Sequence, residues 1–402
     1  MISIDQALDI IKKNLFILDS EEIDLENSPG RVLAADFLAP EPSPRFSNSA
    51  MDGFAVRFAD IAGASAESPA SLKVIGESQA GIPYTGQPEE GCCIRISTGA
   101  VLPEGFDTVV RVEDTESGDA GVLVKTASRK GKDVRFIGEE YQTGECLLRQ
   151  GQHLSARHIS ILAAAGAARV SVFRRPRVAL LVTGSELTSV GEAPGPGQIR
   201  DSNRLMLGAA VSEAGGVVVH SAIAGDDLAA TVQAIEATFA DAPDILLCAG
   251  GVSVGPHDHV KEAAVRAGFT EHFWRIRQKP GKPLFFAGKE KTLFFGLPGN
   301  PVSAYMCFCH YLRPLFAAIS GQPWEYTSFT AVAAEEISNR GRRPNLVRVT
   351  CIHTPGELPK ARAVGQQGSH MISSIVAADG YVLVDSETVI KGGTPIEVTT
   401  LP

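Results

Sequence analysis

The segment RIRQKPGKP, residues 275–283, gathers Arg275, Arg277, Lys279 and Lys282 with no acid among them, in a chain of formal net charge −9. Its prolines and glycine stiffen it, so two ammonium groups would be held as point charges toward a phosphate or other oxyanion. GLPGNPVSA, residues 296–304, points the same way. Asn300 suits an N-cap and Pro301 a first helical position, while Pro298 and the glycines form a turn where a ligand can approach outward-facing amides. A solvated loop and a structural strand-to-helix turn are the plainer readings of these two segments.

GGVSVGPHDH, residues 250–259, can be read in three ways. Gly251-x-Ser253-x-Gly255 has the nucleophile-elbow pattern, which would make Ser253 a hydrolase nucleophile with His310 or His353 as its base; too few strands precede it and no HGGG-type segment supplies an oxyanion hole. His257 and His259 flank Asp258 and could ligate a transition metal. The third reading is a glycine loop at Gly251 that admits a phosphate, with Asp258 as a magnesium or proton-transfer carboxylate. A dinucleotide fingerprint fails, because the G-x-G-x-x-G spacing is missing. Glu186 in TGSEL and Asp226 in GDD stand at comparable turns. Each alone is a turn or capping residue; with the lysine loop they describe a site for an oxyanion and a divalent metal. Earlier in the chain, SNSAMDGFAV carries Asp52-Gly53 between apolar flanks, which local physics reads as a hairpin tip with glycine at positive φ.

These groups need elements to hold them. The 402 residues exceed one typical core, and a net charge of −9 argues against a nucleic-acid or acidic-membrane surface. The first residues, MISIDQALDIIKKNLF, lack a signal-peptide pattern, and no apolar run approaches the ~20 residues of a membrane span. Seven cysteines without a C-x-x-C pair read as reduced, buried thiols of a cytoplasmic protein. Ser3-Ile4-Asp5-Gln6 has the form of a capping box opening an amphipathic helix. Pro29-Gly30 and EPSPRFSNSAMDG then break the chain. Short β-rich runs fill residues 54–150. From 176 to 320, apolar strands such as VALLVTG and DILLCAGG alternate with helices near 202–215, 227–240 and 257–267 and from Pro301. That alternation predicts a central three-layer α/β/α domain with a mostly parallel sheet, its ligand loops at the strand C-termini. A second small β unit follows Pro323. The expected division is a linker of residues 1–44 with 151–175, a β domain at 45–150, the α/β domain at 176–322 and a barrel-like domain at 323–402.

SNSAMDGFAV, STGA (97–100), VRFIGEE (134–140), TGSEL, GGVSVGPHDH, KPGKP and GLPGNPVSA, in this order over nearly the whole chain, resemble the molybdopterin molybdenumtransferase family, related to the gephyrin C-terminal region. The resemblance implies an elongated homodimer of four-domain chains with a composite site, to which Asp52 is delivered from the partner subunit with Gly53 allowing a tight turn. It carries functional roles onto Thr98, Arg135, Glu186, Asp226, Asp258, Lys279, Lys282, Pro298, Pro301, Arg343 and Ser369. The implied reaction takes adenylylated molybdopterin and molybdate, hydrolyses the phosphoanhydride with Mg²⁺ ligated by Glu186 and Asp258, and releases AMP. A molybdopterin adenylyltransferase and recipient molybdoenzymes are the implied partners. Glu140 stands where the family suggests Asp, Arg275 where Lys is frequent, His259 where Tyr is frequent, and His370 where Gly often follows Ser369. A non-catalytic molybdopterin-binding scaffold is the alternative within the same resemblance.

Overall fold

The runs VALLVT and ILLCA offer water no polar face, so both sides of each must be covered. In the computed structural model, which describes every residue except 119, 120, 128, 226, 254, 256 and 257, they lie at the centre of a six-stranded sheet. Its strands are β1 (Arg177–Thr183), β2 (Val217–Ala224), β3 (Ile245–Ala249), β4 (Thr270–Trp274), β5 (Phe285–Lys289) and β6 (Thr292–Leu297), in the order β2-β1-β3-β6-β5-β4. The first four in that order run parallel; β5 and β4 are added antiparallel. That antiparallel pair is absent from the sequence expectation. The connection between β5 and β6 reverses the chain with Glu290 at φ 51. Successive residues of β1 point to opposite faces. Val178, Leu180 and Val182 join the core beneath helices Asn203–Glu213 and Pro301–Cys307, while Ala179 and Leu181 join the one beneath Leu228–Ala237 and Val260–Arg266. The three-layer α/β/α expectation holds.

The capping box at the N-terminus is formed: Ser3 N donates to Gln6 Oε1 at 2.9 Å and Gln6 N to Ser3 Oγ at 3.1 Å. The helix it starts, Ile4–Lys13, buries Ile4, Ala7 and Ile11 in the α/β core. This helix was expected with the linker; its apolar stripe instead covers the larger apolar surface. The helix Asn203–Glu213 is capped by Asp201, whose Oδ1 accepts from Arg204 N at 3.0 Å and whose Oδ2 accepts from Arg204 Nε at 2.8 Å.

The linker is a two-legged structure. Strand Ser20–Asp24 pairs antiparallel with Arg169–Phe173, and Phe37–Leu38 with Cys146–Leu148, around Leu33, Leu154, Leu162 and Val172. Residues 141–150 thus return to the first leg instead of ending the β unit. The β unit is a second six-stranded sheet, running from strand 108–111 through 53–56, 92–96, 70–78 and 121–124 to 115–118. The C-terminal unit is a closed five-stranded barrel of strands 328–333, 360–363, 345–352, 380–384 and 395–400. No described helix is long and apolar enough to cross a membrane. All seven cysteines are free thiols, five of them buried.

Candidate oxyanion and pterin site

The loops that leave β1, β3 and β6 meet above the C-terminal edge of the sheet and enclose a cavity of about 1010 Å³. Glycine is required where they interlock. Gly250 and Gly251 have φ 100 and 64, and a Cβ on Gly250 would lie 2.7 Å from the Thr183 carbonyl oxygen. Of the residues singled out from sequence, Glu186, Gly251, Ser253, Asp258, Pro298, Asn300 and Pro301 line this cavity. Lys279, Lys282, Arg343 and Ser369 line an adjoining cavity of about 600 Å³, which shares Ser253, Pro283 and Asn300 with the first. The two are compartments of one cleft between the α/β sheet and the barrel.

Each wall has a local cause. Asp258 Oδ2 accepts from Gly255 N at 2.5 Å and ties the glycine loop to the start of the helix Val260–Arg266. Among the described residues its other oxygen is unengaged. The Glu186 carbonyl accepts from Ile199 N at 2.8 Å, which fixes the loop and leaves the carboxylate exposed on the cavity. Pro301 does occupy the first helical position. Asn300 stands at the N-cap position with extended backbone, yet its side chain does not cap the helix. Its amide donates to Ser369 Oγ at 3.1 Å, so the residue ties the sheet edge to the barrel.

The cationic loop divides its labour. Arg275, at φ 71, lays its guanidinium 3.9 Å above the Trp274 ring, and Arg277 donates to the Arg342 carbonyl at 3.0 Å. Neither lines the cleft, so the expected cluster of four reduces to Lys279 and Lys282. The barrel holds this loop through Lys279 N to Pro344 O and Leu346 N to Lys279 O, both 2.8 Å, and through Arg343 Nη1 to Gln278 O at 3.0 Å. Among the described residues neither ammonium has a carboxylate partner within ion-pair distance. Two unpaired ammonium groups beside two carboxylates can receive an oxyanion on one side and a metal-bound phosphate on the other.

The β unit carries a separate polar group. Asp52 Oδ1 accepts from Thr98 N at 2.7 Å and Thr98 Oγ1 at 3.0 Å. These bonds, foremost the backbone one, hold its carboxyl below the usual carboxylate range. Arg135 pairs opposite Asn48, and Glu140 accepts from Ser43 Oγ at 2.7 Å. Asp52, Thr98, Arg135 and Glu140 are exposed and line neither compartment of the cleft. Asp52-Gly53 is not a hairpin tip, and Gly53 is not in the left-handed region. Gly53 opens the strand Gly53–Val56, where a Cβ would fall 2.0 Å from the Val110 carbonyl oxygen. Close strand approach, not a tight turn, demands the glycine.

Other sequence readings end here. His310 is buried with Nδ1 2.9 Å from the Tyr381 hydroxyl, and burial pushes its pKa down to about 4. His353 is exposed, its ring tilted against Phe329 at 6.1 Å between centroids. Neither lines a cavity with Ser253, so the hydrolase triad is not assembled among the described residues. Nor do the described residues contain a group of three His, Cys, Asp or Glu that could hold a metal, and His259 lines neither compartment. Asp226 and His257 lie outside the described residues. Glu186 and Asp258 are two carboxylates on one cleft. That donor set fits Mg²⁺, which keeps several waters and completes its shell with substrate phosphates.

Sequence reading missed Arg348, the largest fully buried side chain, in the strand Asn345–Ile352. Gln367 brackets its backbone, donating to Arg348 O at 2.8 Å and accepting from Arg348 N at 3.1 Å, while the Arg348 Nε and Nη2 have no partner among the described residues. A guanidinium inside the apolar run NLVRV was the available signal. Ile372 was not singled out from sequence either, yet it lines the larger compartment from the barrel side beside His370, the residue that follows Ser369.

Paired ammonium groups and carboxylates at the rim of an α/β/α sheet, with a β unit and a closed barrel attached, define a multidomain protein built to bind an anionic ligand. Family models agree along the chain. Residues 2–166 match the MoeA N-terminal region (domain I and II), 179–318 a probable molybdopterin binding domain and 330–401 the MoeA C-terminal region (domain IV). A molybdopterin molybdenumtransferase of Haemophilus influenzae is 34% identical over 96% of this chain and 95% of its own. One of Nostoc is 35% identical, covering 96% of this chain and 89% of its own. The crystal structure of a molybdopterin biosynthesis protein from Pyrococcus horikoshii superposes with a TM-score of 0.88 at 29% identity, covering 100% of this chain and 99% of that one. The chain belongs to the molybdopterin molybdenumtransferase family, enzymes of molybdenum-cofactor biosynthesis.

Proposed function

We propose that this protein inserts molybdate into adenylylated molybdopterin, with hydrolysis of the phosphoanhydride and release of AMP. The observation that carries the reading is one cleft whose adjoining compartments are lined by unpaired Lys279 and Lys282 and by Glu186 and Asp258. Lys279 and Lys282 hold the oxyanion by charge, and Ser369, tethered to Asn300, contributes a hydroxyl on the same side. The amides of the loops at Gly251 and Pro298 face the pterin phosphate, with Ser253 and Pro301 shaping the wall. A Mg²⁺ held by Glu186 and Asp258 would withdraw charge from the phosphoanhydride. Asp226, which follows β2 in the sequence, is assigned to the same reaction by family resemblance alone.

Asp52 acts from the other side. Its carboxylate, kept ionised by Thr98, orients the attacking water. Because it lines neither compartment within the chain, we place it in the cleft of a partner subunit, together with Arg135 and Glu140. Holding both reactants in one cleft supplies much of the acceleration. The protein works as a homodimer in the cytoplasm, receives its substrate from a molybdopterin adenylyltransferase and passes its product to molybdoenzymes.

The test is incubation with adenylylated molybdopterin, molybdate and Mg²⁺, measuring AMP and the ability of the product to activate an apo-molybdoenzyme. Neither AMP nor active cofactor would overturn the reading. Tight molybdopterin binding without turnover, unchanged by Asp52→Ala, would identify a scaffold instead.

A further inference from the structure

We propose that Gln278 and Tyr311 are positioning residues that set the affinity of the lysine loop for its oxyanion, an inference that rests on the function proposed above. Loop 276–283 closes on itself, with Ile276 N donating to Lys282 O at 2.9 Å and Arg275 N to Leu284 O at 2.9 Å. Inside it sits Gln278, with none of its surface exposed. Its Nε2 donates to Pro280 O at 3.0 Å and Gly281 O at 3.4 Å, and lies 3.6 Å from Cys307 Sγ. Two consecutive carbonyls between the lysines are therefore drawn inward, while both lysine side chains line the cleft.

The amide is itself held. Gln278 Oε1 accepts from the Tyr311 hydroxyl, and burial raises that phenol well above its ordinary pKa, so it remains a donor. Tyr311 is fully buried on the π-helical segment Phe308–Leu312, where His310 and Tyr311 both face inward, His310 to the barrel's Tyr381 and Tyr311 to the lysine loop. A helix widened by one residue is a recurrent feature of functional sites. Gly281, at φ 90, leaves the loop no slack, since a Cβ there would lie 2.4 Å from Cys307 Sγ and 2.6 Å from Gln278 Nε2.

A buried amide in an apolar wall is unfavourable unless every polar atom is paired. Gln278 meets that demand by bonding the loop, so the loop conformation and the amide are one unit. Lys279 and Lys282 repel each other when no anion is bound, and the amide restrains the backbone between them against that repulsion. Losing it weakens the oxyanion subsite and leaves the pterin side, built from the β1, β3 and β6 loops, unchanged.

The experiment uses the full-length protein. Molybdate binding is measured by calorimetry, molybdopterin binding by fluorescence, and molybdate KM and kcat by AMP release. Gln278→Met, of similar shape, is expected to weaken molybdate roughly 10-fold or more, with KM rising in step and kcat changing little. Gln278→Glu still accepts from Tyr311 but, when ionised, cannot donate to the carbonyls, so it should not rescue at pH values where the introduced carboxyl is charged. Tyr311→Phe should weaken molybdate roughly 2- to 10-fold, and it decides alone if Gln278→Met does not fold. Variants that melt like the parent and bind molybdate as tightly overturn the inference, as does a parallel fall in kcat and molybdopterin affinity. A parent protein that binds no molybdate overturns the proposed function instead.

Discussion

Gly53→Ala is the sharpest probe of how the β unit presents its carboxylate. The added Cβ would lie 2.0 Å from Val110 O, 2.9 Å from Val110 C and 3.0 Å from Arg111 Cα, all of them backbone atoms. Real Cβ contacts essentially never fall under 3.0 Å, so the strands Gly53–Val56 and Thr108–Arg111 must part by about 1 Å. Gly53 pairs with Arg111 in that ladder, and the adjoining Asp52 carbonyl accepts from Val112 N at 3.2 Å, so the displacement reaches Asp52 directly. Overpacking of this kind costs ~1–3 kcal/mol of stability, and a misplacement of about 1 Å at a catalytic group costs ~100-fold in rate. The control is Gly63→Ala, where an added Cβ meets nothing within 4 Å and φ is not positive. Denaturant unfolding and AMP release should separate the two: Gly63→Ala close to the parent, Gly53→Ala lower in both. A Gly53→Ala protein with parental stability and turnover would refute the packing argument.

Three further outcomes follow from the same geometry. Asp52→Ala and Lys282→Ala are each expected to abolish AMP release; mixed 1:1 as subunits of the proposed homodimer they should recover about a quarter of parental activity, because half the dimers would be mixed and each would restore one composite site. No recovery would place Asp52 in the cleft of its own chain. Thr98 lowers the Asp52 pKa, so the carboxylate is ionised above that lowered value and activity falls only as pH drops through it. Thr98→Val loses the hydroxyl bond, lets the pKa rise, and should move the acid limb of the pH–rate profile upward. Arg174 meets Asp244 in a bidentate pair at 2.6 and 2.7 Å, with the Asp244 side chain 8% exposed. Arg174→Met leaves that carboxylate facing Arg177 N alone and should cost ~3 kcal/mol in chemical denaturation.

Much of the fold was legible because period and composition report burial directly. Unbroken apolar runs gave the parallel strands, the spacing of Ala7, Leu8, Ile11 and Leu15 gave the first helix, and S-x-x-Q gave its cap. What the first helix packs against was not legible, since an apolar stripe says how much surface must be covered but not by which neighbour. The antiparallel pair β4 and β5 was missed because an antiparallel addition depends on which strand edge is free, and TEHFW and PLFFAG carry no local sign of that. At the site, the gathering of Lys279 and Lys282 without a local acid could be read from residue type and spacing alone. The separate uses of Arg275 and Arg277 could not, because they depend on Trp274 and the Arg342 carbonyl. Asn300 is the clearest case: N-cap propensity placed it correctly at the helix start, and contact with Ser369 redirected its amide.

By itself the sequence determined the chemical inventory and its order: cations without local acids, carboxylates after glycine-ended strands, and a DG pair far upstream. These are local properties, fixed by residue type, spacing and chain stiffness. Tertiary structure alone decided which of them share a cleft and which are consumed in holding it. It placed the unpaired lysines in a compartment adjoining that of Glu186 and Asp258, set Asp52 apart on another unit, and buried Gln278 and Arg348. The reason is that a buried polar group must find its partner wherever the packed chain puts one, and that distance in space is not encoded in distance along the chain.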